Sequence, residues 1–239
     1  MSDFRAVILA GGSGERFWPL STPERPKQFL RVFGGESLIR QSVGRLKGLV
    51  APEDVFVVTA RDLVKPTVRE LPEIPRANVI GEPMRRDTGA AVALGVGLAS
   101  GAGDPVIGFF SSDQMVMDPV GFRKTVKRAV ALARKHAAVV TIGIAPDYPA
   151  TCFGYVNPAT GSFVEKPNER KAKTYLKKGY LWNAGLFIAR ASTFKAAFAA
   201  HAPALLPLVA SRVSRLTSLY AKLPRISFDY AVMEPLSQV

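Results

Sequence analysis

Apolar runs that fit β-strands alternate with segments of helical periodicity along this chain. Residues 5–10 predict a first strand, and residues 105–110 are nearly all apolar, which is typical of a central strand buried on both faces. Further strands are predicted at 54–59, 137–143 and 182–192, with a hairpin turning at "NPATG" within 153–165. Helices are predicted at 37–49, 63–71, 88–100, 122–135 and 169–178.

Three of the predicted helices carry more specific expectations. The helix at 37–49 should bury Leu38, Val43 and Leu46. The helix at 63–71 is interrupted by Pro66, which cannot donate a backbone hydrogen bond. The helix at 88–100 is small and apolar around most of its circumference, which indicates close packing on a sheet despite its three glycines.

This alternation implies right-handed crossovers and an α/β fold, in which a mostly parallel mixed sheet is covered by helices on both faces. Ligands of such sheets bind at the carboxyl ends of the strands. A glycine-rich loop after the first strand and Asp113 after the strand at 105–110 both fall there. We therefore expect the functional site at that edge.

The composition permits one large α/β domain or two small ones, because the chain has 239 residues and 48% of them are apolar. The formal net charge of +13 could serve nucleic acid, a membrane surface or small acidic ligands. Basic residues are scattered in ones and twos, without a basic stripe interleaved with aromatic residues. This distribution favours small acidic ligands on a solvated basic surface, with no nucleic acid as partner.

Cysteine usage and the N-terminal segment bear on the cellular compartment. Cys152 is the single cysteine, which excludes an intramolecular disulfide and any CxxC metal site. The apolar run at 6–10 is about one strand long and follows an aspartate, so it predicts neither a signal peptide nor a membrane span. We expect a cytoplasmic protein with no membrane association.

The segment "LAGGSGERFWPLSTPERPKQF", residues 9–29, places Gly11, Gly12 and Gly14 in one turn. A dinucleotide fingerprint that starts at Gly12 requires glycine at position 17, where the chain has Phe17. A Walker A loop also fails, because no Lys-Ser or Lys-Thr pair stands at the required spacing. The loop therefore follows neither of these two motifs.

The chemistry of this loop still suits a phosphate. Glycines let backbone N–H groups approach an anion closely, and Arg16, Arg25 and Lys27 add positive charge. Three prolines exclude a long helix, so loop backbone and side chains would surround the anion. The alternative is a glycine-rich surface turn whose charges face water.

Two further groups of residues are candidates for binding. Asp113 could supply the single carboxylate that suits a nucleotide-bound Mg²⁺, or it could cap the next turn. In "FVEKP", Glu165 could accept from sugar hydroxyls while Lys166 holds a phosphate, but Glu-Lys-Pro by itself is a common sequence and favours an exposed ion pair. In "WNAG", Asn183 has an amide that can donate and accept. In "CFGY", Gly154 lets a cyclic ligand approach the backbone.

The order of these segments resembles the sugar-nucleotide pyrophosphorylase family, and within it the mannose-1-phosphate guanylyltransferase (GDP-mannose pyrophosphorylase) branch. The glycine loop and Glu-Lys-Pro are shared by the whole family, whereas "WPLS" followed by "PKQF", together with Trp-Asn, and "SFDYAVMEP" are specific to the mannose branch. The matching segments are "LAGGSGERFWPLS", "PKQF", "GEPMRRDTGAA", "SSDQ", "GIAPDYPATCFGYV", "FVEKP", "YLWNAGLFI" and "ISFDYAVMEP".

The resemblance implies a Rossmann-like nucleotidyltransferase domain over residues 1–239 that converts GTP and mannose 1-phosphate into GDP-mannose and pyrophosphate with Mg²⁺. It implies that Glu82 recognises the base, that Asp113 holds the metal, and that Arg16, Lys27 and Asp113 are catalytic. The implied nucleotide-binding residues are Gly11, Gly12, Gly14, Arg16, Lys27, Glu82 and Thr88. The implied sugar-phosphate-binding residues are Gly154, Glu165, Lys166 and Asn183. A homodimer is a further expectation.

The chain also departs from the family pattern. Glu15 stands where the family has a small hydroxyl residue, and Gln114 replaces a histidine. Relatives carry a second metal-associated aspartate further downstream, so we expect that the C-terminal part of the family chain is missing or that Asp229 substitutes. Three functions stay open: the guanylyltransferase, a sibling enzyme with another sugar phosphate or nucleotide, and a non-catalytic domain that binds nucleotide sugar.

Overall fold

A computed structural model of the protein describes residues 3–12, 14, 17–22, 25–32, 34–210 and 216–237. Within these ranges the chain forms an eight-stranded sheet surrounded by helices. The strands are β1 (Phe4–Ala10), β2 (Val55–Ala60), β3 (Val79–Glu82), β4 (Val106–Ser111), β5 (Val140–Ile144), β6 (Tyr155–Val156), β7 (Phe163–Val164) and β8 (Leu181–Arg190).

The helices alternate with the strands in the first half of the chain and cluster towards its end. They are α1 (Leu38–Gly44), α2 (Val64–Glu70), α3 (Asp87–Ser100), α4 (Pro119–Lys135), α5 (Glu169–Lys177), α6 (Ala191–His201), α7 (Leu206–Val209), α8 (Leu216–Lys222) and α9 (Glu234–Leu236), with a π-helix at Asp229–Met233 before α9. None of the helices in the described ranges combines the length and the apolar character that a membrane crossing requires.

The strand order is β3-β2-β1-β4-β8-β6-β7, with β5 paired to the other edge of β8. Strands β1 to β4 are mutually parallel, β8 runs antiparallel to β4, β5 and β6, and β7 runs antiparallel to β6. Six of the eight strands therefore point the same way, and the expected mostly parallel mixed sheet is confirmed. The carboxyl ends of β1 to β4 and the beginning of β8 meet at one edge.

Helices cover both faces of the sheet, as the sequence predicts. On one face α3, α6, α7 and α8 pack over β1, β4 and β8, with Phe109, Phe187 and Phe194 in the interface. On the other face α1 and α4 pack against the same strands, and Ile8, Phe110 and Ile188 fill that core. Because both faces are buried, β1 and β4 contain almost no polar positions.

Helix α3 packs directly on the sheet, and its glycines make this possible. A Cβ at Gly95 would lie 2.6 Å from the Phe109 ring, and one at Gly97 would lie 2.7 Å from the Leu208 carbonyl oxygen. These glycines weaken the helical propensity of α3, but they allow it to contact β4 on one side and α7 on the other. Tertiary packing outweighs the propensity cost of the three glycines in this helix.

Several element boundaries differ from the predicted ones for local reasons. Helix α1 ends at Gly44, after which i→i−3 turns carry Leu46 and Leu49 into the core, where Leu38 and Val43 also lie. Pro66 lies in the first turn of α2, where a missing N–H breaks no helical hydrogen bond. The last predicted strand ends at Arg190, two residues earlier than expected, because α6 begins there.

Candidate functional site

A cavity of about 600 Å³ opens at the carboxyl ends of the parallel strands. It lies between the loop after β1, the segment after β3, the loop after β4 and the beginning of the π-helix. The described residues that line it include Gly11, Gly12, Gly14, Phe17, Lys27, Gln28, Glu82, Arg85, Arg86, Asp87, Thr88, Ser111, Asp113, Gln114, Gly185, Arg225 and Asp229. Seven of the residues predicted for the nucleotide and the metal therefore share one cavity. The eighth, Arg16, lies outside the described residues.

Two of the three glycines in the loop after β1 are required for steric reasons. Gly14 has a positive φ of 71°, and a Cβ there would lie 2.7 Å from the Lys27 Cβ. A Cβ at Gly11 would lie 2.9 Å from Glu82 Oε2, so this glycine lets the carboxylate reach the loop. The buried Gln28 side chain donates to the Ala10 carbonyl at 2.9 Å and fastens the returning segment to β1. The loop is thereby held against the end of β1.

Lys27 and Asp113 form an ion pair on the cavity wall. The Lys27 ammonium lies 2.9 Å from Asp113 Oδ2 and 4.0 Å from the centre of the Phe17 ring, a distance typical of a cation–π contact. The Ser111 hydroxyl donates to the other carboxylate oxygen of Asp113. The loops after β1 and β4 thus place the predicted phosphate-binding lysine and the predicted metal-binding aspartate in direct contact.

The environment of Asp113 keeps its carboxylate ionised. Burial by itself raises the pKa of Asp113, but the hydrogen bonds from Ser111 and Lys27 and the lysine charge outweigh burial and lower the pKa below its usual value. An anionic carboxylate at neutral pH is the form that a divalent cation binds. Within the described ranges, no group of three or more His, Cys, Asp or Glu residues could hold a metal ion.

The loop that contains Asp113 is supported by Arg45, a buried arginine that the sequence analysis did not single out. Arg45, which follows α1, is 8% exposed and donates to the main-chain carbonyl of Gln114. The Gln114 side chain in turn donates to the Ala184 carbonyl at 2.6 Å. Ser42 adds a hydrogen bond of 2.8 Å to the Ser111 carbonyl. Helix α1 and strand β8 therefore fix the loop on two sides.

Glu82 ends β3 and is buried against the glycine loop. Its Oε1 accepts a hydrogen bond of 3.1 Å from the hydroxyl of Tyr220 in α8. Burial raises the pKa of Glu82 to about 7, although the hydrogen bond from Tyr220 and the charge of Arg85 oppose the rise. Glu82 is thus a carboxyl group that changes its protonation state near neutral pH.

We expect Glu82→Gln to stabilise the protein at pH 8 and to have little effect at pH 5. The raised pKa of about 7 means that the folded state holds the Glu82 proton above the ordinary value of 4.5, so stability falls as pH rises between these values. At about 1.4 kcal/mol per pKa unit, the ionised form costs up to about 3 kcal/mol. Urea unfolding of both proteins at the two pH values measures the difference.

The exposed Glu53 offers a matched control for this prediction, because Glu53→Gln should change stability equally at pH 5 and pH 8. A difference between Glu82→Gln and the unchanged protein that is the same at both pH values would contradict the raised pKa.

The segment that follows Glu82 is held by the C-terminal part of the chain. Arg86 Nε donates to the Tyr220 carbonyl at 2.8 Å, and the Gly89 N–H donates to the Ile226 carbonyl at 3.0 Å. The Thr88 hydroxyl accepts from the Phe228 N–H at 3.0 Å. Residues 216–230 therefore determine the position of the cavity wall that contains Glu82 and Thr88.

The predicted sugar-phosphate residues form a second cluster beside the cavity, and they do not line the cavity itself. The Asn183 N–H donates to the Gly154 carbonyl at 2.8 Å, and the Lys166 ammonium lies 2.7 Å from Glu165 Oε1. The Glu165 side chain is only 7% exposed and the Lys166 side chain is 45% exposed, so the ion pair that the sequence left open is present, with a buried carboxylate and an exposed lysine. The structure brings all four predicted residues together.

Charge around the cavity is balanced within the described wall. Four basic side chains (Lys27, Arg85, Arg86 and Arg225) face four acidic ones (Glu82, Asp87, Asp113 and Asp229). The net charge of +13 therefore lies mostly elsewhere on the chain. An anion bound here would be held by the placement of individual donors, and bulk positive charge would contribute little.

Comparisons with known proteins agree with this geometry. The nucleotidyl transferase family model matches residues 5–222. A mannose-1-phosphate guanylyltransferase from Klebsiella pneumoniae is 33% identical over 95% of this chain and 54% of its own length, so the chain spans about half the length of this relative. The crystal structure of a mannose-1-phosphate geranyltransferase from Thermus thermophilus matches with a TM-score of 0.86 and 37% identity, over 97% of this chain and 71% of that one.

A mannose-6-phosphate isomerase from Helicobacter pylori is also similar in structure, with a TM-score of 0.80 and 25% identity over 97% of this chain and 93% of that one. The family model covers most of the chain, and its match includes nearly all of β1, strands β2 to β8 and the loops after β1, β3 and β4, whereas Arg225 and Asp229 of the cavity wall lie beyond it. On this basis the chain belongs to the nucleotidyl transferase family.

Proposed function

We propose that the chain, as one catalytic domain over residues 1–239, transfers the guanylyl group of GTP to mannose 1-phosphate and releases pyrophosphate. The observation that carries the proposal is that the glycine loop, the Lys27–Asp113 pair and Glu82 line one cavity. These groups can serve the phosphates, a metal ion and the base of one nucleotide. The names of the relatives support guanosine and mannose as the substrate classes.

The proposed reaction needs no nucleophilic side chain. The phosphate of the sugar ester is ionised at neutral pH, and its oxygen forms a bond to the α-phosphorus while the bond from that phosphorus to the bridging oxygen of pyrophosphate breaks. The protein has to align these groups and stabilise the negative charge that grows on pyrophosphate. The glycine loop and Lys27 are placed to do so, together with Arg16 if it has the role that the family resemblance implies.

Asp113 fits a magnesium ion brought by the nucleotide. Mg²⁺ in proteins takes one or two carboxylates and completes its shell with water and substrate phosphates, and Asp113 presents an ionised carboxylate at the cavity. The ion would neutralise phosphate charge. Lys27 pairs with Asp113 in the structure, and it would then be free to turn its ammonium to a phosphate oxygen.

The proposal is tested by incubating the purified chain with Mg²⁺, each of GTP, ATP, UTP and dTTP, and mannose 1-phosphate or glucose 1-phosphate, and measuring pyrophosphate. We expect release with GTP and mannose 1-phosphate. Preference for another pair would identify the sibling enzyme. Tight binding of GDP-mannose in calorimetry without pyrophosphate release from any pair would identify a non-catalytic binding domain.

Base selectivity provides a separate prediction. Ionised Glu82 can accept from both N–H donors on the Watson–Crick edge of guanine, whereas adenine offers a donor beside an acceptor. We expect Glu82→Gln to relax the preference for GTP over ATP, because an amide can satisfy either pattern. The ratio of kcat/KM for the two nucleotides measures this, with Glu53→Gln as control; an unchanged ratio would exclude Glu82 from base recognition.

A further inference from the structure

Asp229, the first residue of the π-helix, joins the nucleotide cavity to the second cluster. It lines the cavity, and its Oδ1 accepts a hydrogen bond of 2.9 Å from the Asn183 amide. Single-turn π-helices often occur at functional sites. Asp229 therefore lies where a ligand in the cavity would come next to the residues that the family resemblance expects to bind a sugar.

The Asn183 amide is already committed within the protein. Its oxygen accepts from the Thr141 hydroxyl at 2.8 Å and from the Gly185 N–H at 3.0 Å. A backbone N–H can only donate, so the oxygen faces Gly185 and the nitrogen faces Asp229. The Thr141 hydroxyl has one proton, which also faces the Leu186 carbonyl at 3.0 Å, so the Gly185 N–H is the donor that always uses a lone pair of the amide oxygen. With one N–H given to Asp229, the amide keeps at most one N–H for a ligand.

The Glu165 carboxylate is partly engaged and lies away from the cavity. Its Oε1 is paired with the Lys166 ammonium at 2.7 Å, and its Oε2 lies so close to Gly154 that a Cβ there would be 2.6 Å away. The Glu165 N–H donates to Glu234 at 3.4 Å. Lys166 thus engages one oxygen and Gly154 lies against the other, and the side chain does not line the cavity.

Asp229 differs from Asn183 and Glu165 because it lines the nucleotide cavity. Asn183 donates to Oδ1, and no other side chain in the described part of the chain donates to this carboxylate. Burial and the neighbouring charge of Glu165 raise the pKa of Asp229 to about 6. A backbone N–H also hydrogen-bonds to this carboxylate. A half-buried carboxylate at a cavity wall still has lone pairs with which to accept from hydroxyl groups.

We propose that Asp229 is a specificity-determining residue that accepts hydrogen bonds from the hydroxyl groups of the sugar ester, and that Asn183 acts by positioning it. This assignment rests on the proposed function, because it requires a sugar next to the nucleotide cavity. It gives Asp229 a role other than that of the substitute metal ligand considered from the sequence.

The variant Asp229→Asn tests the carboxylate oxygen that Asn183 does not contact. Asparagine keeps an oxygen for the Asn183 amide and replaces only the other oxygen by a group that donates. We expect calorimetry at pH 8 with Mg²⁺ to show GDP-mannose bound about 10- to 100-fold more weakly, the range for losing a hydrogen bond to a charged group. GDP, which lacks the sugar, should bind within about twofold of the unchanged protein.

The exposed Asp147 supplies a matched control, since Asp147→Asn should leave both affinities unchanged. Urea unfolding of Asp229→Asn should show a midpoint no lower than that of the unchanged protein, which separates a binding effect from a folding effect.

Two outcomes would overturn the assignment. Equal GDP-mannose affinity in Asp229→Asn and the unchanged protein would exclude Asp229 from sugar binding. A parallel loss of GDP and GDP-mannose affinity, with loss of its Mg²⁺ dependence, would make Asp229 a metal ligand instead. Failure of the unchanged protein to bind GDP-mannose would contradict the proposed function, and this assignment with it.

Discussion

Replacing Lys27 with alanine is expected to lower the turnover of guanylyl transfer by about 10²- to 10³-fold, the loss typical of removing one preorganised charge-stabilising donor. Lys27 lies on the cavity wall between Phe17 and Asp113. Its ammonium could therefore turn from the Asp113 carboxylate to a phosphate bound in the cavity. Turnover is measured as pyrophosphate release from GTP and mannose 1-phosphate under saturating substrates.

The variant also removes the ion-pair partner of Asp113 and could weaken Mg²⁺ binding. The experiment therefore has to separate the loss of a phosphate-stabilising donor from the loss of metal affinity. Measuring turnover over a range of Mg²⁺ concentrations separates the two. Turnover lost through weaker metal binding is recovered at high Mg²⁺, whereas turnover lost with the Lys27 donor is not. Lys124→Ala, at an exposed position on α4 outside the cavity, should retain full turnover. If Lys27→Ala keeps near-normal turnover, Lys27 has no part in stabilising the reaction.

Replacing Phe228 with alanine is expected to lower the free energy of unfolding by about 3–5 kcal/mol, the usual range for a fully buried phenylalanine. The Phe228 ring is completely buried, and its centre lies 4.8 Å from that of Phe187 and 5.7 Å from that of Phe198. The cavity left by the ring would lie between the C-terminal segment, β8 and α6, where the surrounding core is densely packed.

Denaturation in urea, followed by circular dichroism, measures this loss from the shift of the midpoint at constant slope. Phe153→Ala is the matched control, because Phe153 is 40% exposed and packs with one aromatic ring, that of Trp182. We expect it to lower the free energy of unfolding by about 1 kcal/mol. Equal losses in the two variants would show that the C-terminal segment does not pack as described.

The strands and the cavity edge were predictable because their signals are local. Residues 5–10 and 105–110 are apolar runs of strand length, and each is followed by small or charged residues that mark the end of the strand. Strand β3 was not predicted, because its four residues include Gly81 and are too few to show a period. Its glycine is needed, since a Cβ there would lie 2.6 Å from the Arg61 backbone.

Part of the candidate site was predictable from residue types at the ends of strands. Gly11, Lys27, Glu82 and Asp113 were selected from motifs and family resemblance, and they share the cavity. Roles that depend on distant partners were not predictable. Tyr220 lies 138 residues from Glu82, and nothing in the sequence indicates that its hydroxyl donates to that carboxylate.

The sequence by itself determined the order of most strands and helices as far as β8, the two-sided burial of the sheet and the residue types at the ends of the strands, because these depend on local propensity and on the period of apolar positions. The tertiary structure alone decided which polar groups are already paired and which can meet a ligand. Asn183 and Asp229 illustrate this: their separation of 46 residues leaves no local signal, and only the folded chain orients the amide so that the aspartate oxygen stays available. Hydrogen bonds are directional and short-ranged, so a sequence supplies the groups and the fold supplies their pairing.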